Sequence, residues 1–73
     1  MKNRVEELRK KLNINQEELA KTLRVSRQTI SSIENGRYNP SLELAFQIAE
    51  FFEKSIEEIF LYKQSGNMSR KDF

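Results

Sequence analysis

Residues 15–36, NQEELAKTLRVSRQTISSIENG, decide how this chain folds. Leu19, Ala20, Leu23, Val25, Ile30 and Ile33 are its small or apolar positions. From Leu19 to Leu23 and from Ile30 to Ile33 the spacing follows the helical period, and Val25 falls in the joint between the two runs. Asn15 stands three residues before Glu18, the spacing of a reciprocal N-terminal cap, so a helix is predicted from about Gln16 to Leu23. Ser26 is a favourable cap for a second helix that runs to about Asn35. Gly36 supplies the left-handed residue that ends it. Two short helices over a tight turn are the local unit.

The flanks extend the same pattern. Upstream, Val5, Leu8 and Leu12 share one face of a helix predicted over Arg4 to Leu12, with Asn3 as its cap and Glu6 placed to return the bond. Downstream, Arg37-Tyr38-Asn39-Pro40 reads as a loop, because Pro40 drives Asn39 out of the helical region. Ser41 caps a helix over about Leu42 to Glu53, on which Leu44, Ala45, Ile48, Ala49 and Phe52 form one apolar face. Ser55 and Glu58 make a further capping box, for a last helix from Ile56 to about Leu61. The fold class is therefore all-α, a compact five-helix bundle. Its expected core is Val5, Leu8, Leu12, Leu19, Ala20, Leu23, Val25, Ile30, Ile33, Leu44, Ile48, Ala49, Phe52, Ile56 and Ile59. Residues 1–62 form the expected domain, and the polar residues 63–73 a frayed tail.

Composition narrows the chemistry. The 73 residues allow one small core, and 33% of them are charged. With neither cysteine nor histidine, disulfides, thiolate metal sites and imidazole catalysis are excluded. Glu17/Glu18 and Glu57/Glu58 are neighbouring carboxylates, but neighbours on a helix diverge by about 100° and make no acid–base pair. No enzyme, cofactor, metal or small-molecule ligand is expected. No apolar run approaches the ~18 residues that span a bilayer, and no signal peptide precedes the charged start, so a cytoplasmic protein without a membrane partner is expected. Net charge is only +2, yet it is unevenly spread. Residues 1–42 hold nine Lys or Arg against five Glu, whereas residues 43–62 hold one Lys against five Glu. A basic part backed by an acidic one suits contact with phosphates on one side.

With Ile30 and Ile33 facing inward, the third helix presents Arg27, Gln28, Ser31, Ser32 and Asn35 on its opposite face. Arg bridges guanine O6 and N7, Gln pairs with adenine N6 and N7, and Ser serves either. No acidic residue interrupts them. Helix, turn and second helix thus form a helix-turn-helix unit that lays the second helix in the DNA major groove. Gln16 and Ser26, at helix N-termini where free N–H groups favour anions, are candidate phosphate contacts. Arg37, Tyr38 and Asn39 follow the reading helix and are placed to grip the sugar–phosphate backbone; packing on the core edge is the other assignment for Tyr38. A bare Glu34 carboxylate beside DNA would repel phosphate, so a structural ion pair with Arg9 is expected.

These residues, Gln16-Glu17-Glu18-Leu19-Ala20, Val25-Ser26-Arg27-Gln28-Thr29-Ile30 and Ile33-Glu34-Asn35-Gly36, resemble the phage-repressor helix-turn-helix family, of the Cro-like, xenobiotic-response-element type. Tyr38-Asn39-Pro40-Ser41-Leu42 and Ser55-Ile56-Glu57-Glu58-Ile59-Phe60 resemble the rest of the same lambda-repressor-like domain. The resemblance covers about residues 3–62. It implies a homodimeric transcription regulator, in the simplest case a repressor, on a palindromic operator in double-stranded DNA. It further implies phosphate contacts from Gln16 and Asn35 and base contacts from Arg27, Gln28 and Ser32. Arg24 departs from the family pattern, standing where glycine is usual; a positive φ there implies strain of about 1 kcal/mol, tolerable if the charge faces phosphate. Surplus aromatics place the dimer contact on helix 5 and the residues after it, through Phe60, Leu61 and Tyr62, with Phe51 joining. Closing the bottom of the core is the other assignment for these groups. An antitoxin-like or adaptor module, using the acidic face of Glu43, Glu50, Glu57 and Glu58, is the alternative function.

Overall fold

A computed structural model describes residues 1–62, and the expected polar tail at 63–73 lies outside the described residues. Five helices follow in order: α1 (Val5–Lys11), α2 (Gln16–Leu23), α3 (Arg27–Glu34), α4 (Leu42–Phe52) and α5 (Ile56–Ile59). None of them is long and apolar enough to cross a membrane. Four starts follow directly from their caps. Asn15 accepts from the Glu18 amide at 2.8 Å while its own amide donates to the Glu18 carboxylate at 2.8 Å. Ser26 accepts from Thr29 N–H at 3.0 Å, Ser41 from Leu44 N–H at 3.1 Å and Ser55 from Glu58 N–H at 3.2 Å. Each bond satisfies a donor that the first turn would otherwise leave open. The Ser55 amide donates to the Glu58 carboxylate in return, and this hydrogen bonding lowers the Glu58 pKa below the ordinary carboxylate range.

The start of α1 is different. Its cap is Arg4, with no side-chain bond, and Glu6 pairs along the helix with Lys10 at 3.0 Å. Asn3 is drawn away by tertiary structure. It forms an antiparallel bridge with Phe60, flanked by Arg4 N–H to Ile59 C=O at 2.8 Å and Leu61 N–H to Lys2 C=O at 2.9 Å. Its side-chain oxygen accepts from Val5 N–H, and its amide donates to the Ile33 carbonyl at 2.8 Å. Asn3 therefore ties the chain start to the end of α3. Asn3→Ala is expected to leave the Ile33 carbonyl without this donor, lowering stability by about 1–2 kcal/mol in a urea titration. The same bridge stops α5 at Ile59, short of the expected Leu61, because Phe60 turns extended at φ −103° and ψ 112°.

The core joins Val5, Leu8, Leu19, Ala20, Leu23, Ile30, Ile33, Leu44, Ala45, Ile48, Ala49, Ile59 and Phe60. Val25, Phe52 and Ile56 pack against it half-buried. Val5, Leu19, Ile30, Ile33, Ile48 and Ile59 are sealed from solvent, and each contributes about 1.5–3 kcal/mol by leaving water. Leu12 is a correction: it is 52% exposed. The helix ends at Lys11 and Asn13 turns left-handed at φ 63°. The face that Leu12 would have continued is lost, and Ile14 packs on the core instead. At the joint between α2 and α3, Arg24 has φ 61°, so the strained geometry that glycine usually absorbs is present. Arg24 is exposed and shares the lining of two grooves with Glu43, Gln47 and Glu50 of α4.

Candidate nucleic-acid interface

Packing of α3 decides what it can present. Its main helical neighbours are α2 and α1, and both Ile30 and Ile33 are fully buried. Arg27 and Gln28 are consequently exposed at its first turn, and Ser31 and Ser32 are half-exposed. Ser26, Gln28, Thr29, Ser32 and Tyr38 line one shallow groove. Tyr38 thus stays on the outer face beside the polar side chains, 48% exposed. Its amide and that of Arg37 both donate to the Ser32 carbonyl, at 3.2 and 3.0 Å, so the loop folds back on the helix end.

Flanking polar groups are partly committed within the protein. Asn35 Oδ1 accepts from the Arg37 amide at 3.0 Å, which leaves its Nδ2 donor free of that turn. Asn39 Oδ1 accepts from the α-ammonium of Met1 at 3.4 Å, and the same ammonium donates to the Gly36 carbonyl at 3.2 Å. Gly36 itself holds φ +83°, a value that a side chain would strain. The Ser26 hydroxyl shares a proton with that of Thr29 across 2.9 Å. When Thr29 is the donor, the Ser26 proton is left for an outside acceptor.

Beneath the face lies a buried ion pair. Arg9 Nε donates to Glu34 Oε2 at 2.7 Å and Nη2 to Oε1 at 3.2 Å, with side chains only 9% and 4% exposed. Arg9 Nη1 also donates to the Ile14 carbonyl at 2.9 Å. The hydrogen bond to Glu34 raises the Arg9 pKa against the opposing effect of burial. Glu34 therefore carries no bare charge to the surface. Gln16, half-buried at the start of α2, donates from Nε2 to Glu34 Oε1 at 3.0 Å and accepts at Oε1 from Arg27 Nη1 at 3.3 Å. Four residues from three helices are thereby joined from the interior to the exposed arginine. The two links made by Gln16 had no local signal in the sequence, because they depend on where α2 begins relative to the end of α3.

The expected dimer residues separate into two groups. Phe60 is buried in the core, turned inward by its bridge to Asn3. Phe51 is half-buried, edge-to-face with Phe52 at 5.0 Å, in a groove with Thr22, Leu23 and Arg24. Phe60 belongs to the core and Phe51 packs against it. Leu61 and Tyr62 are exposed, and Leu42 and Phe46 join them at 70% and 58% exposure. Leu42 and Phe46 lie one turn apart on the outer side of α4, where Phe46 flanks the core stripe as one of the surplus apolar groups of the sequence.

Comparison with known proteins agrees with this geometry. The helix-turn-helix family model matches residues 5–59. The HTH-type transcriptional regulator MJ0272 of Methanocaldococcus jannaschii is 57% identical over 63 residues, covering 86% of this chain and 96% of that protein. An HTH-type transcriptional regulator of Archaeoglobus fulgidus is 50% identical over 64 residues, 88% of this chain and 90% of its own length. The HTH-type transcriptional regulator YgzD of Bacillus subtilis is 47% identical over 66 residues, 90% of this chain and 100% of its own. With α2 and α3 forming the helix-turn-helix and the match spanning nearly all the described domain, the chain belongs to the Cro-type helix-turn-helix family of DNA-binding transcription regulators.

Proposed function

We propose that this protein is a cytoplasmic, sequence-specific repressor that binds a palindromic operator in double-stranded DNA as a homodimer. The observation that carries the reading is the outer face of α3, where Arg27, Gln28, Ser31 and Ser32 stand together without an acidic neighbour. In this reading Arg27, Gln28, Ser31 and Ser32 face bases. Gln16, Ser26, Asn35, Arg37, Tyr38 and Asn39 surround them and take phosphates. Repression follows from occupancy, since a bound dimer blocks access of polymerase to the same DNA.

Arg27→Ala and Gln28→Ala are each expected to reduce discrimination at one base pair per half-site by about 1–3 kcal/mol. Arg37→Ala should instead weaken all sequences alike and reduce the salt slope by about one phosphate's worth, ~0.9. Selection from a random DNA pool tests the whole reading. A palindrome with half-site centres ~10 base pairs apart is expected; a pool that acquires no consensus would overturn it.

The homodimer is supported by the exposed apolar face of α4 and α5. Met1, Pro40, Leu42, Ala45, Ile56, Phe60 and Tyr62 line one groove of that face. Phe46, Ala49, Glu50, Lys54, Ile56 and Glu57 line the next. An apolar patch of this kind on a small domain marks an interaction surface. Lys54 between Glu50 and Glu57 gives a two-fold mate opposite charges to meet. We assign the contact to Leu42, Phe46, Leu61 and Tyr62. The acidic rim of Glu43, Glu50, Glu57 and Glu58, all exposed, also favours an antitoxin-like or adaptor role toward a basic protein. Co-purification of such a partner in place of self-association would select that reading.

A further inference from the structure

Asn35 and Gly36 stand together for unrelated reasons. Gly36 is required by its φ of +83°; a Cβ there would meet nothing nearer than the Met1 carbonyl oxygen at 3.5 Å, so conformation and not space excludes a side chain. Asn35 keeps Nδ2 free of the turn, while its Oδ1 accepts from the Arg37 amide. The pair is an asparagine–glycine step, in which no side chain shields the following amide nitrogen from the carboxamide. Of the six asparagines in the chain, Asn35 alone precedes glycine. Asn39 precedes Pro40, which has no amide proton to lose.

The fold holds this step away from reaction. Ring closure eclipses the Gly36 nitrogen with Asn35 Cβ, but at ψ 4° that nitrogen eclipses the amide nitrogen of Asn35 itself. The Gly36 N–H is also occupied, donating to the Ile33 carbonyl at 3.0 Å. The Arg37 amide donates to the Ser32 carbonyl and to Asn35 Oδ1, at 3.0 Å each. Asn35 cannot turn without releasing that loop. Its side chain is nonetheless exposed, and an opening confined to the end of α3 frees the step to solvent.

We propose that Asn35–Gly36 is a self-modifying site, closed in the folded domain, whose deamidation switches off DNA binding. In the open loop the Gly36 nitrogen gives its proton to hydroxide and attacks Asn35 Cγ. A new C–N bond forms, the Cγ–Nδ2 bond breaks, and the departing nitrogen takes a proton from water and leaves as ammonia. Water then opens the cyclic imide at either carbonyl, to aspartate or to isoaspartate, with no oxidation or reduction. Either product exchanges a neutral donor for a carboxylate facing phosphate, and isoaspartate also lengthens the main chain within the turn. The effect on DNA rests on the reading of Asn35 as a phosphate contact; the modification itself does not.

Wild type is incubated in mildly alkaline buffer, folded and in denaturing urea, and its tryptic peptide 28–37 is followed by mass and by separation of the isoaspartyl form. In urea Asn35 is expected to convert faster than every other asparagine. In the folded protein it should convert at least ~10-fold more slowly than in urea, because several hydrogen bonds must open first. Equal rates in the two states would overturn the closure, and a rate in urea no greater than that of the other asparagines would overturn the site. Asn35→Asp keeps the acceptor for Arg37 and hence the turn, which a thermal melt checks. It is expected to bind the selected operator ~10-fold or more weakly, through loss of a hydrogen bond to a charged group. Aged wild type should lose binding in proportion to its converted fraction, whereas equally aged Asn35→Gln, too long to close the same ring, should keep what it had. Arg27→Ala separates the two failures. If it weakens operator binding and Asn35→Asp does not, the switch is overturned; if neither does, the reading of α3 fails, and the effect on DNA with it.

Discussion

Arg9→Met is expected to unfold a large share of the protein at ambient temperature, whereas Arg9→Met with Glu34→Met leaves it folded. The single change strips the paired cation, the only one among the described residues, from a carboxylate whose side chain is 4% exposed, and removing one partner of a buried pair costs about 3–5 kcal/mol. A domain of this size holds a stability near the lower end of about 5–15 kcal/mol, so the loss consumes most of it. The double change removes both charges, and apolar side chains of similar length replace a buried pair at little net cost. Urea titrations of the two single variants and the double variant measure the coupling. A double variant as unstable as Arg9→Met would show that the residues act through packing, with the charge pairing incidental. The exposed pairs of α1 make the contrast: Lys10 with Glu6 and Lys11 with Glu7 lie on the surface at 3.0 and 3.7 Å. Breaking either should change stability by less than about 1 kcal/mol.

Legibility in the sequence followed the range of each interaction. Asn15–Glu18, Ser26, Ser41 and Ser55–Glu58 act within one helical turn, so residue type and a three-residue spacing were enough to place four helix starts. Asn3 has the same local credentials, yet its amide goes to a carbonyl thirty residues away, and nothing within one turn signals that. Leu12 followed the helical period beyond the point where the helix ends. For Phe60 the sequence leaves both a dimer contact and a place at the bottom of the core open, and the bridge to Asn3, a long-range pairing, turns it inward. Of the site, the outward polar face of α3 was legible from the inward isoleucines, and the partner of Glu34 from the cost of a bare carboxylate there. The links from Gln16 to Glu34 and Arg27 needed the crossing of α2 over α3, a tertiary fact with no spacing rule behind it.

Phe46→Glu is expected to convert a dimer at tens of micromolar into a monomer, and to weaken operator binding by about a thousandfold or more. Phe46 is 58% exposed in the single chain and Leu42 70%, so the substitution disturbs no core and the variant should keep the wild-type helical signal. Its new carboxylate would fall beside Glu50 and Glu57, which share the groove with Phe46, and in a two-fold contact each such charge meets its own copy. One reading helix spans only a few base pairs, so a monomer retains little beyond phosphate attraction. Specific and non-specific binding typically differ by about 10³–10⁷-fold, and loss of the second half-site brings the variant toward the weaker limit. Sedimentation gives the oligomeric state, and titration of full and half operators at fixed salt gives the second measurement. A Phe46→Glu protein that remains dimeric would move the contact away from α4. A wild type that is monomeric at tens of micromolar without DNA would count against a preformed homodimer. The surface of Leu42, Phe46, Leu61 and Tyr62 would then be open to the protein partner of the alternative reading.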